Sequence, residues 1–250
     1  MLINVTLPVY NEEAQVASSA RKVVAFLEAS GLAPFEVVVA DNGSTDRTLE
    51  VATRMAREHT AVRIVRLEEK GRGRAVRKVW SESTADILSY MDIDLSTDLG
   101  HFPDLIGPLA REEFDIATGS RLHPKSATQR GLGREVLSRG YNFLVKALFG
   151  TRFTDAQCGF KAITRASAAE LLPFVEDNHW FFDTELLVLA ERLGRRVHDL
   201  PVRWVDDPDS RVKILRTVMD DLKGLARLRR NLAGGKHEAL RRAGRKVERV

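Results

Sequence analysis

Three groups of acidic and polar residues punctuate the first hundred positions: Asn11-Glu12-Glu13, the stretch Asp41 to Asp46, and Asp92-Ile93-Asp94. Each follows a run of apolar residues. The last is the sharpest pair. On an extended chain, residues i and i+2 point the same way, so Asp92 and Asp94 would present two carboxylates together. That donor set suits a hard divalent cation such as Mg²⁺ or Mn²⁺, bound partly by protein and partly by phosphate oxygens of a substrate. A single Asp in such a place is ordinarily a turn or helix-capping residue, which is how Asp46 reads. Three acidic groups along one sheet edge point instead to a ligand site. Lys70-Gly71-Arg72-Gly73 precedes a helix, where glycines permit close backbone approach and the helix N-terminus favours an anion. The Gly-Lys-Ser/Thr ending of a P-loop and the third glycine of the dinucleotide fingerprint are both absent. A nucleotide kinase or a dehydrogenase thereby loses its main support.

The elements that must position these residues alternate regularly. Strands are predicted at 2–9, 36–40, 61–67 and 85–92, and helices at 12–29, 46–58 and 73–83. The run Val37-Val38-Val39-Ala40 is continuously apolar, as in a strand covered on both faces. Four such units in succession predict an open, mostly parallel α/β sheet with flanking helices, whose ligand crevice lies beyond the carboxyl ends of the strands. After residue 100 the pattern loosens. It gives a strand at 115–119, a loop at 121–134, a helix ending at Phe149 and a strand at 159–164. A helix at 184–193 follows, then a strand at 196–204. A helix at 211–232 carries the apolar stripe Val212, Leu215, Val218, Met219, Leu222 and Leu225. With no repeat and no long linker, a single domain is expected over 1–215, followed by a basic helical tail at 216–250.

Composition limits the function classes. The 250 residues are 44% hydrophobic and 30% charged, values of a soluble globular protein rather than a disordered one. The one cysteine, Cys158, excludes an internal disulfide framework and a multi-cysteine zinc site. It reads as a small buried residue in a protein of the cytoplasm. No apolar run reaches the roughly 18–20 residues of a membrane span, and the start lacks a signal-peptide pattern, so a chain neither secreted nor spanning is expected. The net charge of +4 conceals an asymmetry: residues 211–250 hold 13 Lys and Arg against 4 Asp and Glu. The tail suits peripheral contact with an anionic membrane at its cytoplasmic face, or is a solvated helix face. Nucleic acid is not expected as a partner, because the basic excess lies away from the acidic crevice and no RNA-binding aromatic motif is present.

Together, LPVYNEE (7–13), DNGSTD (41–46), KGRGRA (70–75), MDIDLSTD (91–98) and GSR (119–121) resemble, in order and spacing, a family-2 glycosyltransferase of the GT-A fold. The later motifs are Arg134, Ser138, Arg139 and Asn142, then DAQCGFKA (155–162), WFFDTELL (180–187) and the stretch from PVRW (201–204) to Val212. They resemble those of the polyprenyl-phosphate glycosyltransferases. The resemblance implies a role for each matching residue. Pro8, Tyr10 and Glu12 would line a nucleoside pocket, with Asp41 on the base. Asp92 and Asp94 would hold donor and metal, Asp94 as the direct ligand. Arg121 and Arg134 would grip the acceptor phosphate, as planar guanidinium forks do, and Arg211 a donor phosphate. Asp183 stands where relatives keep a catalytic base, although it would also cap the helix that follows. The Gln157–Lys161 motif resembles that of dolichyl-phosphate glucosyltransferases, which favours UDP-glucose over GDP-mannose as donor and a polyprenyl phosphate as acceptor. Arg72 departs from the usual Lys and Val79 from a common glycine. Many relatives carry C-terminal membrane spans that this sequence lacks. A soluble acceptor is therefore the alternative within the family, and a nucleotide- or nucleic-acid-binding module the alternative outside it.

Overall fold

The apolar runs expected to be strands are strands, and the helices between them return the chain to the same sheet edge. In order these are β1 (Ile3–Val9), α1 (Val16–Ala29), β2 (Phe35–Asn42), α2 (Thr48–Glu58), β3 (Val62–Leu67), α3 (Arg72–Glu82) and β4 (Ile87–Met91). There follow α4 (Phe102–Ala110), β5 (Ile116–Ser120), β6 (Ala127–Gln129), α5 (Leu132–Phe149), β7 (Phe160–Thr164), α6 (Arg165–Leu171), α7 (Phe182–Arg192), β8 (Val197–Pro201), β9 (Arg203–Val205) and α8 (Ile214–Asn231). This computed structural model describes residues 1–32, 34–206 and 214–236.

Seven strands form the main sheet in the order β3-β2-β1-β4-β7-β5-β8. All neighbours pair in parallel except β7, which runs antiparallel between β4 and β5. The chain departs from β1 to β2 on one side and returns to β4 on the other, so the ends of β1 and β4 flank a topological switch point, where open α/β sheets bind ligands. Both faces are covered. One layer packs Val76, Trp80, Phe182 and Leu186, the other Val16, Val23, Phe102 and Phe160.

Several elements differ from expectation. The helix α4 was not anticipated, and it holds both Pro103 and Pro108. Pro103 sits in the first turn, where its missing N–H would have had no partner. The helix α6 starts where the Thr164 side chain accepts the Ser167 amide, an N-cap. The expected loop 121–134 contains β6, and the expected strand 196–204 breaks at Val202. Its first part, β8, lies beside β5. Its second part, β9, pairs with β6 in a two-stranded sheet, and Trp204 bridges to Thr97. This crossing carries Trp204 to the end of β4.

The boundary expected at residue 215 falls inside α8. Leu225 and Leu228 are buried, and a Cβ on Gly224 would lie 2.4 Å from the ring of Phe181, so the helix packs directly on α7. Met219 and Leu222 of the expected stripe face outward. Among the described residues no helix is long and apolar enough to cross a membrane.

Asp221 on α8 is a liability of this packing. It is buried, accepts a hydrogen bond from the Gln157 amide at 2.8 Å, and leaves Oδ1 without a partner. Burial pushes its carboxyl up to about 7, with Gln157 pulling the other way and Asp177 and Asp220 adding to the rise. The folded chain thus holds a proton that the unfolded chain releases near its ordinary value of 3.8. Stability from this group is lost as pH rises from that value towards 7. Asp221→Asn is expected to raise stability on the order of 3 kcal/mol at pH 8 and far less at pH 4.5, measured by urea unfolding. An equal gain at both pH values would show that Asp221 does not titrate in this window.

Candidate active site

The loops after β1 and β2 are laced together by their polar residues. The Asn11 amide donates to Ser44 Oγ at 2.9 Å, and Asn11 Oδ1 accepts the Thr45 amide at 2.8 Å. The Glu12 amide donates to Thr48 Oγ1 at 2.7 Å. Asp46 accepts the amide of Thr48, the first residue of α2, as a turn residue, while Arg47 holds the N-cap position. Pro8 is buried and Tyr10 and Glu12 half-buried. The Lys70 ammonium lies 3.5 Å from the centre of the Tyr10 ring, and the Glu12 carboxylate accepts from Gln15. Asp41 stands across from Val9 in register. It is fully buried, Oδ1 accepts the Ser44 amide at 3.1 Å, and Oδ2 has no partner. An acceptor buried without a donor is costly unless a ligand supplies one.

The glycines of 70–73 serve a different purpose from the expected anion cradle. A Cβ on Gly71 would lie 2.5 Å from the Asn178 carbonyl oxygen, and one on Gly73 2.5 Å from Phe182 Cβ. They let the start of α3 press against the segment leading into α7. The first residue of α3, Arg72, is thereby set beneath β4. Its Nε donates to Asp92 Oδ1 at 3.0 Å, its Nη1 to Asp183 Oδ2 at 2.6 Å, and its Nη2 to the Tyr90 phenol oxygen at 3.1 Å. Tyr90 donates in turn to Asp183 Oδ1, and Lys161 Nζ stands 3.4 Å from that same oxygen. Arg72 is stacked between the rings of Tyr90 and Trp180, 4.7 and 4.9 Å from their centres.

Asp183 therefore does not cap the helix, and its carboxylate is engaged by other side chains. It lies within α7 rather than capping it, and it is 1% exposed with both oxygens engaged. Burial favours its neutral form, but Lys161 and Arg72 hold the carboxyl below the ordinary carboxylate range. It anchors Arg72, and through Arg72 it orients Asp92.

The strand β4 ends at Met91, so Asp92 and Asp94 occupy a turn rather than strand positions, and Leu95 has φ 51°. The alternation survives because Ile93 between them is buried. The two carboxylates line one small cleft with Ser96, Thr97, Gly159 and Trp204. Gly159 is required there, since a Cβ would fall 1.7 Å from Asp92 Oδ2. Asp94 is exposed and accepts the Ser96 amide at 3.0 Å. Among the described residues no group of three or more His, Cys, Asp or Glu could enclose an ion. One or two carboxylates at an open cleft fit a divalent cation completed by water and substrate phosphate, the usual situation for Mg²⁺.

Beyond Trp204 stand three arginines. Arg121 is committed to Asp155 by Nε and Nη2 at 2.6 and 2.9 Å. Burial would raise the Asp155 carboxyl, and Arg121 instead brings it down to about 2. Arg134, in the first turn of α5, pairs with Asp206. Arg130 stacks on the same Trp204 ring as Arg121, each 5.6 Å from its centre. The expected acceptor pair is thus brought to one place, with Arg121 already holding a carboxylate. Arg211 lies outside the described residues, as do 237–250 of the tail.

Residues 4–172 match the family model described as glycosyl transferase family 2. The chain is a family 2 glycosyltransferase. Glycosyltransferase AglD of Haloferax volcanii is 40% identical over 219 residues, which are 87% of this chain and 35% of that protein. The dolichyl-phosphate beta-glucosyltransferase of Drosophila melanogaster is 34% identical over 224 residues, 84% of this chain and 69% of that one. This glycosyltransferase therefore spans about a third of the first relative and two thirds of the second. Glucosyl-3-phosphoglycerate synthase from Mycobacterium tuberculosis, solved with Mn²⁺, UDP-glucose and phosphoglyceric acid, shares the fold at TM-score 0.65 and 22% identity. That match covers 91% of this chain and 79% of the other.

In this glycosyltransferase four site residues had no role from the sequence: Arg72, Lys161, Asp155 and Arg130. Arg72 and Lys161 lie in motifs that were legible, but their partner Asp183 is far away in the chain. Cys158 is buried as expected, and burial pushes its thiol up to about 12, the opposite direction from an activated nucleophile.

Proposed function

We propose that this glycosyltransferase moves glucose from UDP-glucose to the phosphate of a polyprenyl phosphate, inverting the anomeric centre, with Mg²⁺ or Mn²⁺ as cofactor. The observation that carries the acceptor is the outward face of α5. Leu132, Val136 and Phe143 are 84%, 71% and 74% exposed. With Gly140 and Ala147 they make one stripe at helical spacing, about 22 Å long. An apolar face of this size marks an interaction surface. Arg134 sits in the first turn of the same helix, on the side opposite the stripe, so a phosphate held there lies at the end of α5 where the apolar surface begins. A groove between α5 and α8, lined by Leu144, Leu148 and Leu222 and edged by Arg229 and Arg230, extends this surface towards positive charge, as contact with anionic lipid requires. Peripheral attachment to a membrane, aided by the basic tail, follows from the same reading.

The donor reading rests on the unpartnered Asp41 oxygen, which suits an N–H of a base such as uracil, and on the names of the relatives. A phosphate monoester has its second pKa near about 6, so the acceptor is largely a dianion at neutral pH and attacks the anomeric carbon without a side-chain base. Attack opposite the leaving group turns an α-linked donor into a β-linked product. The protein's work is positional: Arg134 holds the acceptor, Arg72 fixes Asp92, and Asp94 with Asp92 would hold the cation. The cation, when bound, supplies Lewis-acid stabilisation of the departing diphosphate.

The test is transfer of labelled sugar to a short polyprenyl phosphate in anionic vesicles, with GDP-mannose and 3-phosphoglycerate as rival substrates. Lipid-extractable label from UDP-glucose is expected, together with flotation that weakens at high salt. Label from GDP-mannose alone overturns the donor. Turnover of phosphoglycerate with none on lipid replaces the acceptor by a soluble one.

A further inference from the structure

Of the three arginines beyond Trp204, Arg121 and Arg134 each donate a hydrogen bond to a carboxylate and Arg130 does not. Arg121 is held by both oxygens of Asp155, and Arg134 by Asp206. Arg130 has a side chain only 7% exposed, and its Nε stands 3.5 Å from Glu135 without forming a hydrogen bond. Its Nη2 donates to the Arg134 carbonyl oxygen at 2.7 Å, while Nη1 has no partner. Buried polar groups are almost always satisfied, and a guanidinium hidden from water with two idle N–H groups is among the costlier exceptions. Glu135 turns Oε2 towards this Nε and gives Oε1 to Arg139 at 2.7 Å, which leaves Nη1 without a carboxylate.

We infer that Arg130 is a further acceptor-binding residue, whose idle N–H groups take a phosphate oxygen on the Trp204 side of the cleft. This rests on the phosphate-acceptor reading above. A planar fork beside a phosphate dianion is matched in charge and in geometry, and the Trp204 ring fixes the guanidinium plane before the ligand arrives. Trp204 also lines the Asp92–Asp94 cleft, so an anion held by Arg130 stands next to the carboxylates expected to hold the donor. The donor's own diphosphate offers the same chemistry. The location favours the acceptor, since Arg130 sits on the side away from Tyr10 and Asp41. Arg121 then acts at one remove, holding both oxygens of Asp155 so that they are not offered to Arg130.

The test compares wild type, Arg130→Met and Arg130→Lys in steady-state transfer with UDP-glucose and a short polyprenyl phosphate both varied, alongside thermal unfolding. Arg130→Met is expected to raise the acceptor KM ten- to a hundredfold and to leave the UDP-glucose KM within about twofold. Its thermal midpoint should equal or exceed that of wild type, because an ill-satisfied buried charge has been removed. Arg130→Lys should recover the acceptor KM in part, keeping charge but not the fork. A lower midpoint with both KM values raised assigns Arg130 a purely structural part and overturns the inference. So does a rise in the UDP-glucose KM alone, which moves Arg130 to the donor. If wild type glycosylates no polyprenyl phosphate, the acceptor reading itself fails. If wild type does and both variants match it, only the assignment to Arg130 fails.

Discussion

Asp94→Asn is expected to lower transfer by roughly a thousandfold or more while leaving the fold intact. Asp94 is the proposed direct ligand of the cation, and its loss would forfeit the several kcal/mol by which a bound cation stabilises a departing diphosphate; about 1.4 kcal/mol is a factor of ten in rate. The cost to stability is small for two reasons. Asp94 is exposed, and surface changes rarely exceed about 0.5 kcal/mol. Its contact with the Ser96 amide uses an acceptor oxygen that Asn retains. Asp92 would be a poorer probe, because its Oδ1 is bonded to Arg72 and its loss disturbs the buried pairs as well. Wild type treated with EDTA should fall to the level of the variant and recover with Mn²⁺ or Mg²⁺, whereas Asp94→Asn should not recover. Unimpaired transfer by the variant, or by wild type in EDTA, would remove the cation from Asp94.

How much of this site could be read from the sequence depends on chain distance. The ends of β1, β2 and β4 were legible because each acidic group directly follows the apolar run that becomes its strand, and parallel strands place such ends along one edge. The Asp92–Asp94 pair was legible for a reason that the structure modifies: a turn, not a strand, carries it, and buried Ile93 keeps the two carboxylates on the open side. Arg130 was not legible. It is one of many arginines, and what distinguishes it is a buried Nη1 without a hydrogen bond, which only three-dimensional packing shows. Trp204 reaches the cleft only because the break at Val202 sends β9 across to β6. The glycines at 71 and 73 were noted as close-approach positions, correctly, but what approaches is the backbone at Asn178 and the side chain of Phe182 rather than a ligand. Local pattern predicts that a residue is special more readily than it predicts for whom.

The second large effect is expected at Asp183, where the resemblance implied a base and the chain pattern a helix cap, and where packing gives a buried carboxylate bonded to Arg72 and Tyr90. Asp183→Asn should destabilise the protein by about 3–5 kcal/mol, the cost of leaving buried partners uncompensated; here these are Arg72, 9% exposed, and Lys161, fully buried. Activity should also fall, because a freed Arg72 no longer fixes Asp92 beside the donor. The pH profile separates this from loss of a base. The folded pKa of Asp183 lies below the ordinary value, so its stabilisation is complete above about pH 4 and is lost only as pH falls through that folded value. It contributes no titration between pH 5 and 9, and the variant should reproduce the shape of the wild-type kcat profile at reduced height. A double-mutant cycle with Arg72→Gln gives the sharper result. If Asp183 acts through Arg72, the two losses in transfer should fall short of additivity by roughly 1–3 kcal/mol, as residues sharing one network do. A base acting on the acceptor would instead give additive losses, an acid limb absent from the variant, and rescue of Asp183→Ala by formate. Those three results together would return Asp183 to the chemistry and leave Arg72 a bystander.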